Sequence, residues 1–347
     1  METISVQDFE YAPILITTCN RYEHLRKTIE SLKECTHADK TDLFISVDFP
    51  PNEKYLEGYG KVKEYLKENI TGFNNVTIYY QENNLGAFEN AEFLLNIARD
   101  KEYEFVIILE DDIMAKPALL DFMNKCYEYY KNDDRIVGVH VHGGDMNTKD
   151  AKCNAVYAHH GASNGLFLDK IFIIKDIIDK SYFLNIMLDR DRRRKLKRIS
   201  KRIFSHCVQI GLGLDPKLLN KDGSVALIDY CCNIYNWMED YYCVASVQGL
   251  TVNNGLDGTG LHAGVASICP MFGYYDENEI EVTVQDKEYC FNREIELLSQ
   301  EQVDTKYYIK CCICVFFLRA LGENAAKKIW DVMEFFSNVR PRISKRK

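Results

Sequence analysis

Three consecutive carboxylates, Glu110, Asp111 and Asp112, close the apolar run of "FVIILEDDIMAKP". Acids at the end of a buried strand cost several kcal/mol of desolvation unless something pairs with them. Three in a row also repel one another, so either basic side chains or a divalent cation must neutralise them. Period-two alternation puts Glu110 and Asp112 on one side of the strand end and Asp111 on the other. Hard carboxylate oxygens suit Mg²⁺ or Mn²⁺. One protein carboxylate plus substrate phosphates is a common way to hold such an ion. The bland alternative is a solvated turn, or acids at the start of a helix.

The elements that position these acids can be read from periodicity. "APILITTCN", "DLFISVD", "NVTIYYQEN", "EFVIILEDD" and "RIVGVHVHGG" read as strands. Between them, "RYEHLRKTIESLKEC", "EGYGKVKEYLKENI", "GAFENAEFLLNIARD" and "ALLDFMNKCYEYYKND" read as helices. This alternation predicts an α/β fold with a mostly parallel sheet covered on both faces. Ligands of such sheets sit beyond the carboxyl ends of the strands. Those ends are all polar: Thr17 to Arg21, Asp48, Glu82 to Gly86, and Glu110 to Asp112. Their expected convergence on one edge moves the acidic triplet from a solvated turn to a site.

Beyond about residue 150 the alternation loosens. "DKIFIIKDIIDKSYFLNIMLDRDRRRKLKRISKRIF" reads as helical and turns basic, and "VALIDYCCNIYNWMEDYYCVAS" reads as one long helix. "GLTVNNGLDGTGLHAG" is a strand entering a glycine-rich loop. "YYIKCCICVFFLRALG" and "ENAAKKIWDVMEFFSNV" are two amphipathic helices.

Four segments, in order, resemble glycosyltransferases of the GT-A fold, related to family 2 and to N-acetylglucosaminyltransferase I-like enzymes. They are "PILITTCNRYEHLRKTIESL", "ENNLGAFENAEFLL", "VIILEDDI" (a DXD-type motif in its E-D-D form) and "TVNNGLDGTGLHA". Together they cover roughly residues 12 to 265. The resemblance implies a GT-A domain over 1–265, with a nucleotide-binding half at about 12–115 and an acceptor half at about 116–265. A helical C-terminal extension follows over 266–347. It also implies a nucleotide-diphospho-sugar donor, with UDP-sugars favoured, and Mn²⁺ or Mg²⁺.

Carried onto this sequence, the resemblance makes Asp112 the direct metal ligand. Glu110 and Asp111 contact the ribose or donor sugar, or orient water on the metal. Thr17, Asn20 and Arg21 line the nucleotide pocket. Arg21 either forks onto a phosphate or holds a loop, the alternative being a salt bridge at a helix start. Asp48 hydrogen-bonds the base, or is a turn aspartate before Pro50 and Pro51. Gly86 lets the backbone approach the nucleotide and Asn84 hydrogen-bonds it, or both belong to a plain helix-entry loop. An inverting transfer needs a general base near the acceptor hydroxyl. Asp229 is the first candidate and Asp257 the second, with Glu239 and Asp240 behind them. His262 supplies a second metal ligand or a diphosphate contact, or is a surface loop histidine. Either of the adjacent His159 and His160 could line an acceptor pocket. Relatives carry more tryptophan on this side than Trp237 and Trp330, and "HHGASNGLFL" stands where an aromatic-rich segment is expected.

Charge and cysteine use bound the rest. The net charge of −9 argues against nucleic acid as a partner. Asp189 to Arg202 nevertheless holds nine basic residues against two acids, and the last eight residues hold five more. These are ordinary solvated faces, or they meet an anionic membrane or a lipid-diphosphate acceptor. The thirteen cysteines are odd in number and many sit in apolar runs. With no signal-like N-terminus, they are expected to be reduced and mostly buried, in a cytoplasmic setting. Cys311 and Cys314 are read as packing rather than a metal pair. The longest apolar run is about eight residues, far short of the roughly 20 of a membrane span. The expected activity is a sugar transfer that builds a surface glycan, at the inner membrane face if peripheral. A nucleotidyltransferase making a nucleotide-sugar would need a glycine-rich loop that "ITTCNRYEHL" lacks. A non-catalytic glycan-binding module would be expected to lose the acids.

Overall fold

The computed structural model describes residues 11–68, 70–142, 153–159, 164–215, 219–220, 225, 229–255, 273–300 and 304–344. Its strands are β1 (Ile14–Thr18), β2 (Leu43–Val47), β3 (Val76–Tyr80), β4 (Phe105–Glu110), β5 (Ile113–Ala115), β6 (Ile136–His140), β7 (Ala155–Ala158), β8 (Gly165–Phe167), β9 (Tyr242–Ser246) and β10 (Thr251–Asn253). The helices of the first half are α1 (Tyr22–Lys33), α2 (Leu56–Tyr65), α3 (Ala87–Asp100) and α4 (Leu119–Tyr130). After them come α5 (Leu168–Ile177), α6 (Lys180–Leu188), α7 (Arg190–Ile199), α8 (Lys201–Leu212) and α9 (Asp229–Glu239). The chain closes with α10 (Lys287–Gln300), α11 (Thr305–Leu321) and α12 (Glu323–Ser344).

Eight strands form one sheet in the order β3-β2-β1-β4-β8-β6-β9-β7. The first four are mutually parallel, and β6 and β9 are parallel to each other. Strand β8 runs antiparallel between β4 and β6, and β7 runs antiparallel on β9. The central sheet is therefore mostly parallel and flanked by helices, as the alternation predicts. Strand β2 is buried along its whole length, which explains its continuous aliphatic run. Helix α1 buries Leu25, Thr28, Ile29 and Leu32, one stripe at helical spacing. Each fully buried aliphatic side chain contributes roughly 1.5–3 kcal/mol. Gly165 is required where β8 crosses the core: a Cβ there would sit 2.4 Å from the Phe105 ring.

Two compact units divide the chain, one of residues 1–171 and 242–290, the other of residues 172–241 and 291–347. The segment "VALIDYCCNIYNWMEDYYCVAS" is not one helix. Asp240 takes a left-handed φ of 63° and ends α9. The β-branched and aromatic stretch behind it becomes β9, starting where the Tyr242 N–H donates to the Arg135 carbonyl at 2.8 Å. The basic helical run is also divided. Asp179, Asp189 and Ser200 each cap a new helix with a side-chain oxygen, starting α6, α7 and α8.

Twelve cysteines lie among the described residues and all are free thiols. Cys311 and Cys314 are buried in α11, and burial raises their pKa values to about 12 and about 11. No described helix is long and apolar enough to cross a membrane.

Candidate functional site

Because β3, β2, β1 and β4 are parallel, their carboxyl ends share one edge of the sheet. The turn after β1 carries Asn20 and Arg21, and the chain after β4 carries Asp111 and Asp112. Arg21 answers the question that the acidic triplet poses. Its Nη1 donates to Asp112 Oδ2 at 2.6 Å, and its Nη2 donates to Asp111 Oδ1. Burial opposes the Arg21 charge, but the two carboxylates more than offset that and raise its pKa above the ordinary value.

The expected alternation of the three acids does not hold. Strand β4 ends at Glu110, which is exposed, and the chain turns before β5. The turn brings Asp111 and Asp112, both buried, onto one guanidinium. Asp111 is held on every side: its Oδ2 accepts from Thr18 Oγ1 at 2.7 Å, and its carbonyl accepts from Thr28 Oγ1 at 2.9 Å. Burial raises the Asp111 pKa, while Arg21 and Thr18 pull it back down. Asp112 differs. Its Oδ1 is buried and has no hydrogen-bond partner among the described residues.

The late loop reaches the same place. Strands β10 and β5 pair antiparallel, with Asn253 opposite Ile113. The Asn254 N–H then donates to the Asp112 carbonyl at 2.8 Å. Gly255 packs so closely that a Cβ would lie 1.9 Å from Asp112 Oδ2. A glycine is needed there for close approach.

The second strand end is joined to the third. Asp48 Oδ1 accepts the N–H groups of Leu85 at 2.7 Å and Phe49 at 2.9 Å. Its Oδ2 accepts from the Gly86 N–H and from Asn84 Nδ2, both at 2.9 Å. Three of these four donors, Asn84, Leu85 and Gly86, lie on the loop that enters α3, where Gly86 takes a φ of 88°. Beneath it, Ser46 donates to Asn90 Oδ1 at 2.5 Å. Cys19 lies near Asp48 and Asp111. Burial, with a further push from both acids, raises its thiol to about 12.

Thr17, one residue before the end of β1, is in register with Glu110, and the Asn20 carbonyl packs against Gly58 of α2, where a Cβ would meet it at 2.2 Å. Asp229 opens α9 in the other unit. Asp257, His262 and His160 lie outside the described residues. His159 is buried against the Tyr242 ring, 4.4 Å between centroids. Sequence reasoning missed Thr28 and His142, and took Thr18 only as part of the first strand end. His142 Nδ1 and Thr251 Oγ1 are 2.7 Å apart, which ties the end of β6 to β10. The doubled "VHVH" at a strand end was the available signal for it.

Residues 2–167 match the model of the GNT-I family. No curated protein matches the sequence. Among solved structures, S. aureus TarS 1–349 in complex with UDP is 12% identical, with a TM-score of 0.36, covering 58% of this chain and 55% of that one. S. aureus TarS is 13% identical with a TM-score of 0.34, covering 49% of this chain and 30% of that one. The mannosyltransferase PcManGT from Pyrobaculum calidifontis, in complex with GDP-Man and Mn²⁺, is 12% identical with a TM-score of 0.30, covering 47% and 48%. This chain therefore spans between 30% and 55% of the length of these neighbours. The match to the GNT-I family model covers just under half of the chain, its N-terminal part.

Proposed function

We infer that this chain is a metal-dependent, inverting glycosyltransferase. It moves a hexosyl or N-acetylhexosaminyl group from a nucleotide-diphospho-sugar, with UDP-sugars favoured, to a glycan or lipid-linked acceptor. The setting is surface polysaccharide synthesis at the cytoplasmic side of a membrane. One observation carries the reading: the unpartnered, buried Oδ1 of Asp112, beside the close approach of Gly255.

That atom fits a hard divalent cation, Mn²⁺ or Mg²⁺. Among the described residues no group of three or more candidate side-chain ligands exists. Asp112 would thus hold the ion with oxygens of the donor diphosphate and water, and His262 is the proposed additional contact. When bound, the ion stabilises the negative charge that develops on the diphosphate leaving group. Arg21 fixes the carboxylates of Asp111 and Asp112 and leaves Asp112 Oδ1 as the open atom. Asp48 holds Asn84 and Gly86 where the nucleotide lies, and Thr17 and Asn20 complete that wall. Glu110, exposed at the strand end, contacts the ribose or donor sugar. Asp229 takes the proton of the acceptor hydroxyl, with Asp257 as the alternative base.

The test is a thermal-shift screen of nucleotide-sugars with and without Mn²⁺. A UDP-sugar should raise the melting temperature more with Mn²⁺ than without it, and Asp112→Asn should remove the difference. Equal shifts with and without Mn²⁺ in the wild type would remove the metal from the reading.

A further inference from the structure

The second unit presents charge and apolar surface that its own core does not use. Helix α7 exposes Arg190, Arg194, Lys195 and Arg198 while burying Leu196 and Ile199. Arg194, Lys195 and Arg198 line a cavity of about 430 Å³ together with Asp191, Ile199, Phe291 and Ile295. Asp191 is the one acid beside these three cations, so the lining is net positive in a chain whose net charge is −9.

Beside it lie two helices with bare apolar stripes. On α11, Ile309, Ile313 and Phe316 are exposed at helical spacing, opposite the buried Cys311, Cys314, Val315 and Leu318. On α12, Val332, Phe335 and Phe336 are exposed, opposite the buried Ala326 and Trp330. Phe316, Phe335 and Phe336 leave 64, 65 and 62% of their surface open, unusual for three phenylalanines on adjacent helices. The two helices are fixed to each other. The Tyr307 and Trp330 rings meet edge-on at 5.6 Å, and Lys310 pairs with Glu334. The basic helix borders this stripe, because Lys197 Nζ reaches Cys312 Sγ at 3.5 Å, next to Ile313.

We propose that this face of the second unit docks on an anionic lipid surface, with Phe316, Phe335 and Phe336 entering the headgroup region and Arg194 and Arg198 meeting lipid phosphates. An anionic bilayer satisfies both features at once: apolar rings find acyl chain, and the cations find fixed negative charge. A spanning segment is not needed, and none of the described helices can supply one. Neither feature anchors firmly alone, so attachment is reversible and salt-sensitive. Each basic residue near such a surface strengthens attachment roughly fivefold.

The test uses the full chain and sedimentation with vesicles of phosphatidylcholine alone or mixed with phosphatidylglycerol. No sugar nucleotide is present, so the outcome is separate from the transferase reading. The protein should bind the mixed vesicles at low salt, bind neutral vesicles far less, and be released near 1 M salt. Arg194→Glu with Arg198→Glu should lower partitioning by about tenfold or more. Phe316→Ser with Phe335→Ser and Phe336→Ser should lower it as well. Circular dichroism and thermal unfolding confirm that both exposed-site variants stay folded. Equal binding to neutral and anionic vesicles, or none to either, overturns the proposal. So does a serine variant that binds vesicles normally but turns a dimer into a monomer, because a second copy would then be the occupant.

Discussion

Arg21 and Asp112 are joined by a 2.6 Å hydrogen bond between residues 91 positions apart, and the same guanidinium also holds Asp111. This pair ties the turn after the first strand to the turn after the fourth. Removing one partner of a buried ion pair leaves a charge uncompensated, which costs about 3–5 kcal/mol. Arg21→Ala should therefore destabilise the protein by several kcal/mol in urea unfolding. Mn²⁺ should restore part of that loss, because a cation can replace the lost charge. Asp112→Asn should remove the Mn²⁺ effect. An Arg21→Ala variant as stable as wild type would show that the acids need no counter-charge.

Gly255→Ala tests the approach of the late loop to the acids. A Cβ 1.9 Å from Asp112 Oδ2 and 3.0 Å from Asp112 Cβ cannot be accommodated without moving the loop or the carboxylate. Nucleotide-sugar affinity should fall tenfold or more in calorimetry. The melting temperature should fall as well, because the clashing atom, Asp112 Oδ2, is the one that accepts from Arg21. Unchanged affinity would mean that the loop takes no part in the site.

Asp48→Asn probes the four-donor carboxylate. An amide has one oxygen where the carboxylate offers two, so at least one of the Leu85, Gly86 and Asn84 contacts must be lost. Hydrogen exchange at the Leu85 and Gly86 amides should accelerate while the β1 amides stay protected. Donor affinity should fall with it.

Asp229→Asn should slow transfer about 10²-fold or more with donor binding nearly unchanged, the usual scale for loss of a general base. If Asp229→Asn turns over normally while Asp257→Asn is inactive, the two roles are exchanged.

His206 provides a pH test in the second unit. Burial, helped by the nearby Arg202 and opposed by Asp215, lowers its pKa to about 4. The folded state therefore prefers the neutral ring, whereas the unfolded chain takes up a proton near pH 6.5. The resulting stability is present above about pH 6.5 and is lost as the pH falls toward 4. The loss is on the order of 3 kcal/mol. In urea titrations across that window, wild type should lose more stability than His206→Gln. Parallel curves would show that His206 does not resist protonation.

Periodicity carried most of the first 140 residues, because strands buried on both faces read as continuous aliphatic runs and helices as stripes. The polar strand ends identified the edge of the site. The partner of the acids was less legible: Arg21 had three readings, and only the turn after Glu110 shows that both aspartates reach it. Asp48 had two readings, a base contact or a turn aspartate, and its acceptance of Asn84, Leu85 and Gly86 from the loop after β3 is something no pattern of spacing reveals. Strands β5, β7 and β8 are three or four residues long, too short to show alternation. The break at Asp240 was hidden because "NWMEDYYCVAS" keeps an apolar rhythm through a helix end and a strand.

The position of β9 in the sheet has a consequence for synthesis on the ribosome. Strands β3-β2-β1-β4 are complete once residue 110 has emerged, and they can pair while the rest is still being made. Strand β6 is made next, but its parallel neighbour β9 arrives only after the long excursion through residues 172–241. Until then β6 has a bare edge, and bare edges pair with the wrong chain. The nascent protein thus passes through a period of aggregation risk that closes when residue 246 leaves the exit tunnel. Slower translation before that point lengthens the exposure, and truncated chains ending before Tyr242 retain it permanently.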